Sequence, residues 1–100
     1  MLVALTIELR DNLGGVLDRK WEHASALAAA MPSFDSNDYP ILRLVDPYGD
    51  TVFSSYQMAA VIPELERLAS SRDGPGIAEV LQIALRCRND PHTFLVFIGD

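Results

Sequence analysis

The residues that could take part in chemistry are few and lie far apart in the chain. Cys87 is the only cysteine, and it falls on the apolar stripe of a predicted helix between Arg86 and Arg88, which favours a buried structural thiol over a nucleophile. His23 and His92 are the only histidines, and no cysteine or carboxylate stands near either one at the spacing of metal ligands. The glycine motifs of nucleotide-binding loops are absent as well. We therefore predict no catalytic residue, no metal site and no cofactor.

Carboxylates are the one reactive group present in number. Asp46, Asp50 and Asp100 could be brought together by a sheet, although acid–base catalysis would require one of them to be held protonated in an apolar pocket. Asp46 and Asp50 could also bind a hard cation such as Ca²⁺ or Mg²⁺. Capping of a turn by Asp46 explains the same residues with fewer assumptions. A small enzyme with a dispersed carboxylate site therefore stays an alternative to a protein without catalysis.

Composition and charge describe an acidic globular chain. Its 100 residues, 49% of them hydrophobic, predict one domain over residues 1–100, and a formal net charge of -6 repels nucleic-acid phosphate. Thr6 and Glu8 interrupt the N-terminal apolar run, which no basic residue precedes, unlike a signal peptide or membrane span. Because a lone cysteine gives no sign of an oxidising compartment, we predict a cytoplasmic protein that binds neither nucleic acid nor membrane.

Negative charge is concentrated in the middle of the chain. Four carboxylates and a single base, Arg43, fall between residues 35 and 50; the acids are Asp35, Asp38, Asp46 and Asp50. Solvated loop residues are the simpler interpretation. The functional interpretation is an acidic face for a basic partner.

The start of the chain predicts a hairpin and a short helix. Apolar and polar residues alternate over residues 3–10, as in a strand with one buried face, and residues 11–15 are turn formers. We predict a second strand from Val16 to Trp21, then an alanine-rich helix ending at Met31. In the loop that follows, Phe34 is the one residue that we expect to tuck into the core. For residues 16–22 the alternative is the beginning of a longer helix.

The best-specified stretch is Pro40 to Gln57. Asp46-Pro47-Tyr48-Gly49 matches a type I turn, with Gly49 in the left-handed conformation that closes a bulge. This turn predicts an antiparallel pair formed by Ile41–Val45 and Thr51–Phe53. Ser54 and Gln57 have the spacing of a capping box at the start of a helix.

The last part of the chain predicts two helices and a buried strand. Apolar residues recur at helical spacing from Met58 to Ala69, where Pro63 predicts a kink or a fresh helix start, and again from Ile77 to Cys87. Five apolar residues in a row at 94–98 are typical of a central strand covered on both faces. We predict an α+β domain in the order ββαββααβ, with an antiparallel sheet of about five strands and helices mainly on one face.

Two segments carry a resemblance. D-P-Y-G-D-T-V-F at 46–53, followed by Gln57-Met58, and F-I-G-D at 97–100 resemble segments shared by a group of small uncharacterised bacterial proteins. That resemblance covers the C-terminal two thirds of the chain. It implies a bacterial domain of similar length with the same order of turn, helix and closing strand. Because the function of the group is unknown, it implies no activity and no catalytic residue.

Binding is the function that this sequence favours. We predict an open sheet face on which Arg43 and three aromatic residues meet a protein partner. The complete predicted set is Asp35, Asp38, Tyr39, Arg43, Asp46, Tyr48, Asp50 and Phe53. The prediction is a non-enzymatic acidic protein-interaction module, of an inhibitory or immunity type, that covers a basic surface of a partner protein. The alternative is a homodimeric structural or regulatory domain, formed through an unpaired strand edge or the open face.

Overall fold

The computed structural model describes residues 3–71 and 74–99. They form a single compact α+β domain with a four-stranded antiparallel sheet and three α-helices. The elements in chain order are β1 (Leu5–Asp11), β2 (Val16–Lys20), α1 (Ala24–Ala30), β3 (Asp50–Ser54), α2 (Met58–Ser71), α3 (Pro75–Asn89) and β4 (Thr93–Gly99). Two short 3₁₀ turns, Leu42–Leu44 and Ser55–Gln57, precede β3 and α2 respectively. None of the helices in this described part of the chain is long and apolar enough to cross a membrane.

The sheet has the strand order β2-β1-β4-β3, with every neighbouring pair antiparallel. The last strand therefore lies in the interior, between the first strand and β3. Gly99 is the partner of Leu5 on one side, and Ile98 is the partner of Asp50 on the other. This arrangement confirms the prediction of a central closing strand.

One face of the sheet packs on the helices. Leu5, Ile7 and Leu9 of β1 and Leu95 and Phe97 of β4 are buried on this face. The helical side chains that complete the core are Leu27, Met58, Val61, Ile62, Leu65, Leu68, Ile77, Val80, Ile83, Ala84 and Cys87. Burial of a large apolar side chain contributes about 1.5–3 kcal/mol, so this helix-facing layer supplies most of the stabilisation.

The opposite face of the sheet, called the outer face below, carries the alternate residues of each strand. The strand register places Val52, Val96, Glu8 and Arg19 in one row across it. Val96 is buried between its neighbours, but Val52 at the end of the row is 54% exposed. The helices thus cover one face of the sheet, while on the outer face Val96 of β4 lies between Glu8 of β1 and Val52 of β3.

The segment Ile41–Val45 is not a strand, so the predicted fifth strand and the central hairpin are wrong. Its backbone forms a 3₁₀ turn over Leu42–Leu44, and the Ile41 and Leu42 N–H groups donate to the Glu64 carboxylate at 3.1 and 2.9 Å. Leu42 and Val45 are buried while Leu44 is 60% exposed. That spacing of three suits a helical turn, because a strand would place residues 42 and 44 on the same face.

The turn at Asp46 to Gly49 forms without the predicted bulge. The Tyr48 N–H donates to the Asp46 carboxylate at 2.9 Å, as expected for an aspartate that caps its own turn. Gly49 is not left-handed, since Gly14 at φ 86° is the only residue of the described ranges whose φ falls in the left-handed region. Gly49 instead leads into β3 alongside β4, and its carbonyl accepts from the Gly99 N–H at 2.7 Å.

The first hairpin is confirmed, and the alternative of a helix over residues 16–22 is wrong. The Asp11 carboxylate accepts from the N–H groups of Leu13 and Gly15 at 2.9 and 2.8 Å and so holds the turn. β2 lies at the sheet edge, where Leu17 is about half exposed. The register shifts between Leu9 and Arg10, which marks a bulge in this pair.

The capping box at Ser54 and Gln57 is also confirmed. Ser54 Oγ accepts from the Gln57 N–H at 3.3 Å, and Gln57 Oε1 accepts from the Ser54 N–H at 2.8 Å. The box opens a 3₁₀ turn that continues into α2. A fresh helix start at Pro63 is wrong, because α2 runs through this residue from Met58 to Ser71.

Candidate binding surface

The most irregular part of the described chain joins α1 to β3. This α1–β3 connection, residues 31–49, contains no regular structure apart from the 3₁₀ turn. Connections longer than about 12–15 residues are uncommon in compact domains and often carry function. Seven of the eight predicted site residues lie on it or directly after it, at positions 35, 38, 39, 43, 46, 48 and 50.

The two ends of the α1–β3 connection meet at a cavity of about 300 Å³, which Leu5, Met31, Phe34, Val45 and Pro47 help to line. Arg43 joins the ends as well, because its Nη1 donates to the Phe34 carbonyl at 3.3 Å. This brings Asp35, beside Phe34, to the same side of the molecule as Asp46 and Tyr48, which flank Pro47.

Asp38 and Tyr39 lie elsewhere, against the second half of α2. The Arg67 guanidinium sits 5.3 Å from the centre of the Tyr39 ring, a cation–π arrangement, and it also donates to the Asp38 carbonyl. The Tyr39 hydroxyl is 3.3 Å from the Ser71 hydroxyl oxygen. Tyr39 is thus half-buried and contacts α2 through both its ring and its hydroxyl group. Little of the ring is left accessible to a partner.

The predicted open face that carries Arg43, Tyr39, Tyr48 and Phe53 does not exist. Phe53 is 6% exposed, and its ring packs edge-on against Phe97 at a centroid distance of 5.9 Å. Its place in the core follows from the pairing of β3 with β4, which turns residue 53 towards the helices. Asp50, opposite Ile98, is exposed on the outer face instead.

Sequence reasoning missed two exposed residues of the α1–β3 connection. Phe34 is 80% exposed, whereas we predicted that it tucks into the core, and Leu44 is 60% exposed. Tyr48, which was predicted as a binding residue, is 64% exposed. The sequence holds one signal for Phe34: it stands in a polar stretch, because residues 33 and 35–38 are all serine, asparagine or aspartate.

Three of the seven basic side chains in the described residues are engaged away from this surface, while Arg43 lies on it. Arg10 and Arg19 bind the Glu8 carboxylate, and Arg86 Nη1 binds Asp18 at 2.8 Å. Within the part of the chain that the structure describes, the Asp35 and Asp46 carboxylates form no ion pair. Their bonds are to neutral donors, the Ser33 hydroxyl at 2.7 Å and the Tyr48 N–H at 2.9 Å. Both negative charges therefore remain available to a partner.

Glu8 is a fully buried carboxylate on the outer face. Arg10 Nε and Arg19 Nε donate to its two oxygens, each at 2.6 Å. Burial raises the pKa of the Glu8 carboxyl, but hydrogen bonds and charge from Arg19 and Arg10 outweigh burial and hold that pKa below its usual range. Glu8 is therefore a charged structural residue and is not placed to donate a proton.

The remaining reactive side chains have structural contacts. Cys87 is buried in the core, and burial raises the pKa of its thiol, which disfavours the thiolate that a nucleophile needs. His23 Nδ1 lies 2.9 Å from Glu79 Oε1 and so joins the start of α1 to α3. Among residues 3–71 and 74–99, no group of three or more histidines, cysteines and carboxylates could hold a metal ion. Asp100 of the proposed carboxylate site lies outside the described residues.

Comparison of the chain with protein-family models, curated proteins and solved structures finds no match in any of the three.

Proposed function

We propose that this protein is a non-enzymatic interaction module that covers a basic surface of a partner protein with its α1–β3 connection. One observation carries the proposal. The connection holds Phe34, Leu44 and Tyr48 in solvent, 60–80% exposed, beside the Asp35 and Asp46 carboxylates. Isolated exposed apolar residues are ordinary, but two aromatic rings on one long connection are the kind of anchor that dominates protein interfaces.

Charge supports the choice of a basic partner. With a net charge of -6, the chain attracts a cationic surface at long range and repels nucleic acid. Close to contact, carboxylates at the rim of an apolar patch favour partners that present lysine or arginine. Asp35 and Asp46 can serve this role because no basic residue of the described chain neutralises them.

The α1–β3 connection is fastened at several points, which suits a binding surface. Glu64 holds Ile41 and Leu42, Arg67 holds Asp38, and Thr51 Oγ1 accepts from the Asp46 N–H at 2.9 Å. A loop that is ordered before binding loses less conformational entropy when the complex forms. The type of partner that we propose is a basic toxin or enzyme in the cytoplasm, covered in an inhibitory or immunity-type complex. The single buried cysteine is compatible with that reducing compartment.

The test uses immobilised protein to capture partners from a bacterial lysate, with the captured proteins quantified by mass spectrometry across a salt series. A double variant, Asp35→Asn with Asp46→Asn, removes the two charges and keeps an oxygen that can accept from the Tyr48 N–H. A second double variant, Phe34→Ser with Tyr48→Ser, removes the aromatic anchors. We expect each to reduce the yield of the basic partner at least about tenfold, which corresponds to about 1.4 kcal/mol.

The matched control is Glu22→Gln with Asp90→Asn, which changes net charge by the same amount at exposed sites outside the connection. This control should recover the partner at the wild-type yield and lose it at the same salt concentration. Equal recovery of the same proteins by all folded variants would overturn the proposal.

A further inference from the structure

The β3 strand has an unpaired edge. The Gly99 N–H donates to the Gly49 carbonyl, so in this antiparallel ladder Gly49, Thr51 and Phe53 turn their backbone groups towards β4. The N–H and C=O groups of Asp50 and Val52 must then point away from the sheet. No other residue within 3–71 and 74–99 forms a backbone hydrogen bond with Val52 on that side.

The opposite edge of the sheet is protected, whereas the β3 edge is not. β2 carries Asp18, Arg19 and Lys20, and its pairing with β1 contains a bulge; charge and bulges are devices that prevent edge-to-edge pairing. β3 pairs with β4 over Asp50–Ser54 without a shift in register, and Asp50 is its only charged residue. Exposed Val52 stands at the centre of this regular edge.

We propose that the β3 edge binds β3 of a second copy of this chain, antiparallel and centred on Val52, to form one continuous sheet across a two-fold axis. Both copies contribute the same surface, as a two-fold interface requires. In this register Val52 of each copy exchanges both backbone hydrogen bonds with Val52 of the other. The N–H of Asp50 donates to the Ser54 carbonyl of the second copy.

The side chains of β3 are complementary to themselves in this register. Val52 faces Val52 of the second copy and joins it to Val96 on the outer face, which extends one apolar row through both copies. A good cross-strand pair of this kind contributes about 0.2–1 kcal/mol. Asp50 faces Ser54, whose hydroxyl can donate to the carboxylate, while a register centred on Asp50 would place two carboxylates directly opposite each other.

The capping box limits the pairing to these residues. The Ser54 N–H is already bound to Gln57 Oε1 at 2.8 Å, so the ladder between copies ends at Ser54. This inference does not depend on the proposed function, because it uses the strand and leaves the α1–β3 connection free.

The test measures mass by light scattering over a concentration series and measures amide hydrogen exchange residue by residue. We expect a species of twice the chain mass of 11.0 kDa, and a Val52 amide whose exchange slows as concentration rises. The Phe53 amide, which bonds to β4, should be protected at every concentration. Val52→Pro removes the outward N–H at an edge position that tolerates proline. Val52→Lys places two positive charges directly opposite each other across the two-fold axis. Each variant should weaken the dimer at least about tenfold.

Val16→Lys is the matched control, because Val16 is 50% exposed on β2 while Val52 is 54% exposed on β3. The control should dimerise like the wild type. Circular dichroism identifies any variant that fails to fold, and either Val52 variant alone is sufficient for the comparison. A wild-type monomer at millimolar concentration, or a dimer whose Val52 amide exchanges freely, would overturn the proposal.

Discussion

Two glutamates are buried on opposite sides of the sheet, and each is satisfied in a different way. Glu8, 0% exposed, accepts from two arginine side chains, and Glu64, 4% exposed, accepts from two backbone N–H groups. The sequence gives no sign of either arrangement. Glu8 occupies a polar position of a strand in which polar and apolar residues alternate. Glu64 cannot be distinguished by sequence from Glu66, an exposed glutamate on the same helix. Except for Arg10, two residues from Glu8, the partners of Glu8 and Glu64 are distant in sequence, and only the fold shows which residues they are.

Removal of the Glu64 carboxylate should destabilise the domain. Glu64→Ala leaves the buried N–H groups of Ile41 and Leu42 without an acceptor, which costs about 1–3 kcal/mol, and Glu64→Gln should cost less because one oxygen remains. Urea unfolding measures both values. Glu66→Ala, at an exposed position of the same helix, should change stability by less than about 0.5 kcal/mol. A Glu64→Ala midpoint equal to that of Glu66→Ala would contradict the role assigned to this carboxylate.

Glu8 should make stability depend on pH in the acid range. Its pKa in the folded state lies below the unfolded value, which is about 4.3. Its contribution is therefore complete above about pH 4.3 and is lost as pH falls through the lower, folded-state pKa. We expect Glu8→Gln to cost about 1–2 kcal/mol at pH 7, since the arginines are partly exposed to solvent.

Chemical unfolding at several pH values checks this expectation. The stability difference between wild type and Glu8→Gln should shrink as pH is lowered below 4, whereas Glu22→Gln, at an exposed site, should follow the wild type throughout. If the stability difference between wild type and Glu8→Gln stays constant down to pH 2, the charge on Glu8 is not what stabilises the domain.

At the scale of elements, periodicity predicted what local sequence determines. Apolar spacing and turn residues predicted most of the elements at the positions where they form. These are the β1–β2 hairpin, α1, the capping box, α2, α3 and β4. The strand prediction for Ile41–Val45 is wrong because its apolar residues fit a strand locally. The conformation of this segment is determined instead by its contact with the carboxylate of Glu64, which lies in a later helix. Likewise, the turn at Asp46 to Gly49 was predicted correctly as a turn but was assigned the wrong partner strand, since pairing with β4 is a tertiary property.

The contact between the turn and the closing strand should not tolerate a side chain at Gly99. A Cβ placed there would lie 2.5 Å from the carbonyl carbon and oxygen of Pro47, and backbone atoms cannot rotate away as a side chain does. Gly99→Ala should therefore destabilise the domain by about 1–3 kcal/mol. At Gly74 a Cβ meets no atom within 4 Å, so Gly74→Ala should cost less than about 1 kcal/mol.

Thermal unfolding of the two glycine variants gives the comparison. It also tests the contact between the turn and β4, where the Gly99 N–H donates to the Gly49 carbonyl. Similar melting temperatures for both variants would mean that the turn can move away from β4 at little cost.

For the whole molecule, the order of the predicted strands and helices indicated the α+β class correctly, while the predicted open sheet face is wrong. Asp35, Asp46 and Tyr48 are exposed on the α1–β3 connection, but Tyr39 packs on α2 and Phe53 enters the core. Whether a residue is exposed depends on which element covers it. Because Ile41–Val45 was wrongly predicted to be a strand, the open sheet face predicted to carry Arg43 and Phe53 is wrong as well. Phe34 is the opposite case: it was predicted to be buried because its side chain is large and apolar, and it is exposed.

The strand order also determines when the sheet can form. Its two central strands, β1 and β4, are the first and last strands of the described residues, so pairing Leu5 with Gly99 closes a loop that contains the elements between them. Closing so long a loop slows folding, because chain entropy is lost before the contacts form. During synthesis β2 can join β1 early, yet β3 has no strand to pair with until β4 emerges. We therefore expect a nascent chain that keeps its helices only loosely packed until β4 has been synthesised.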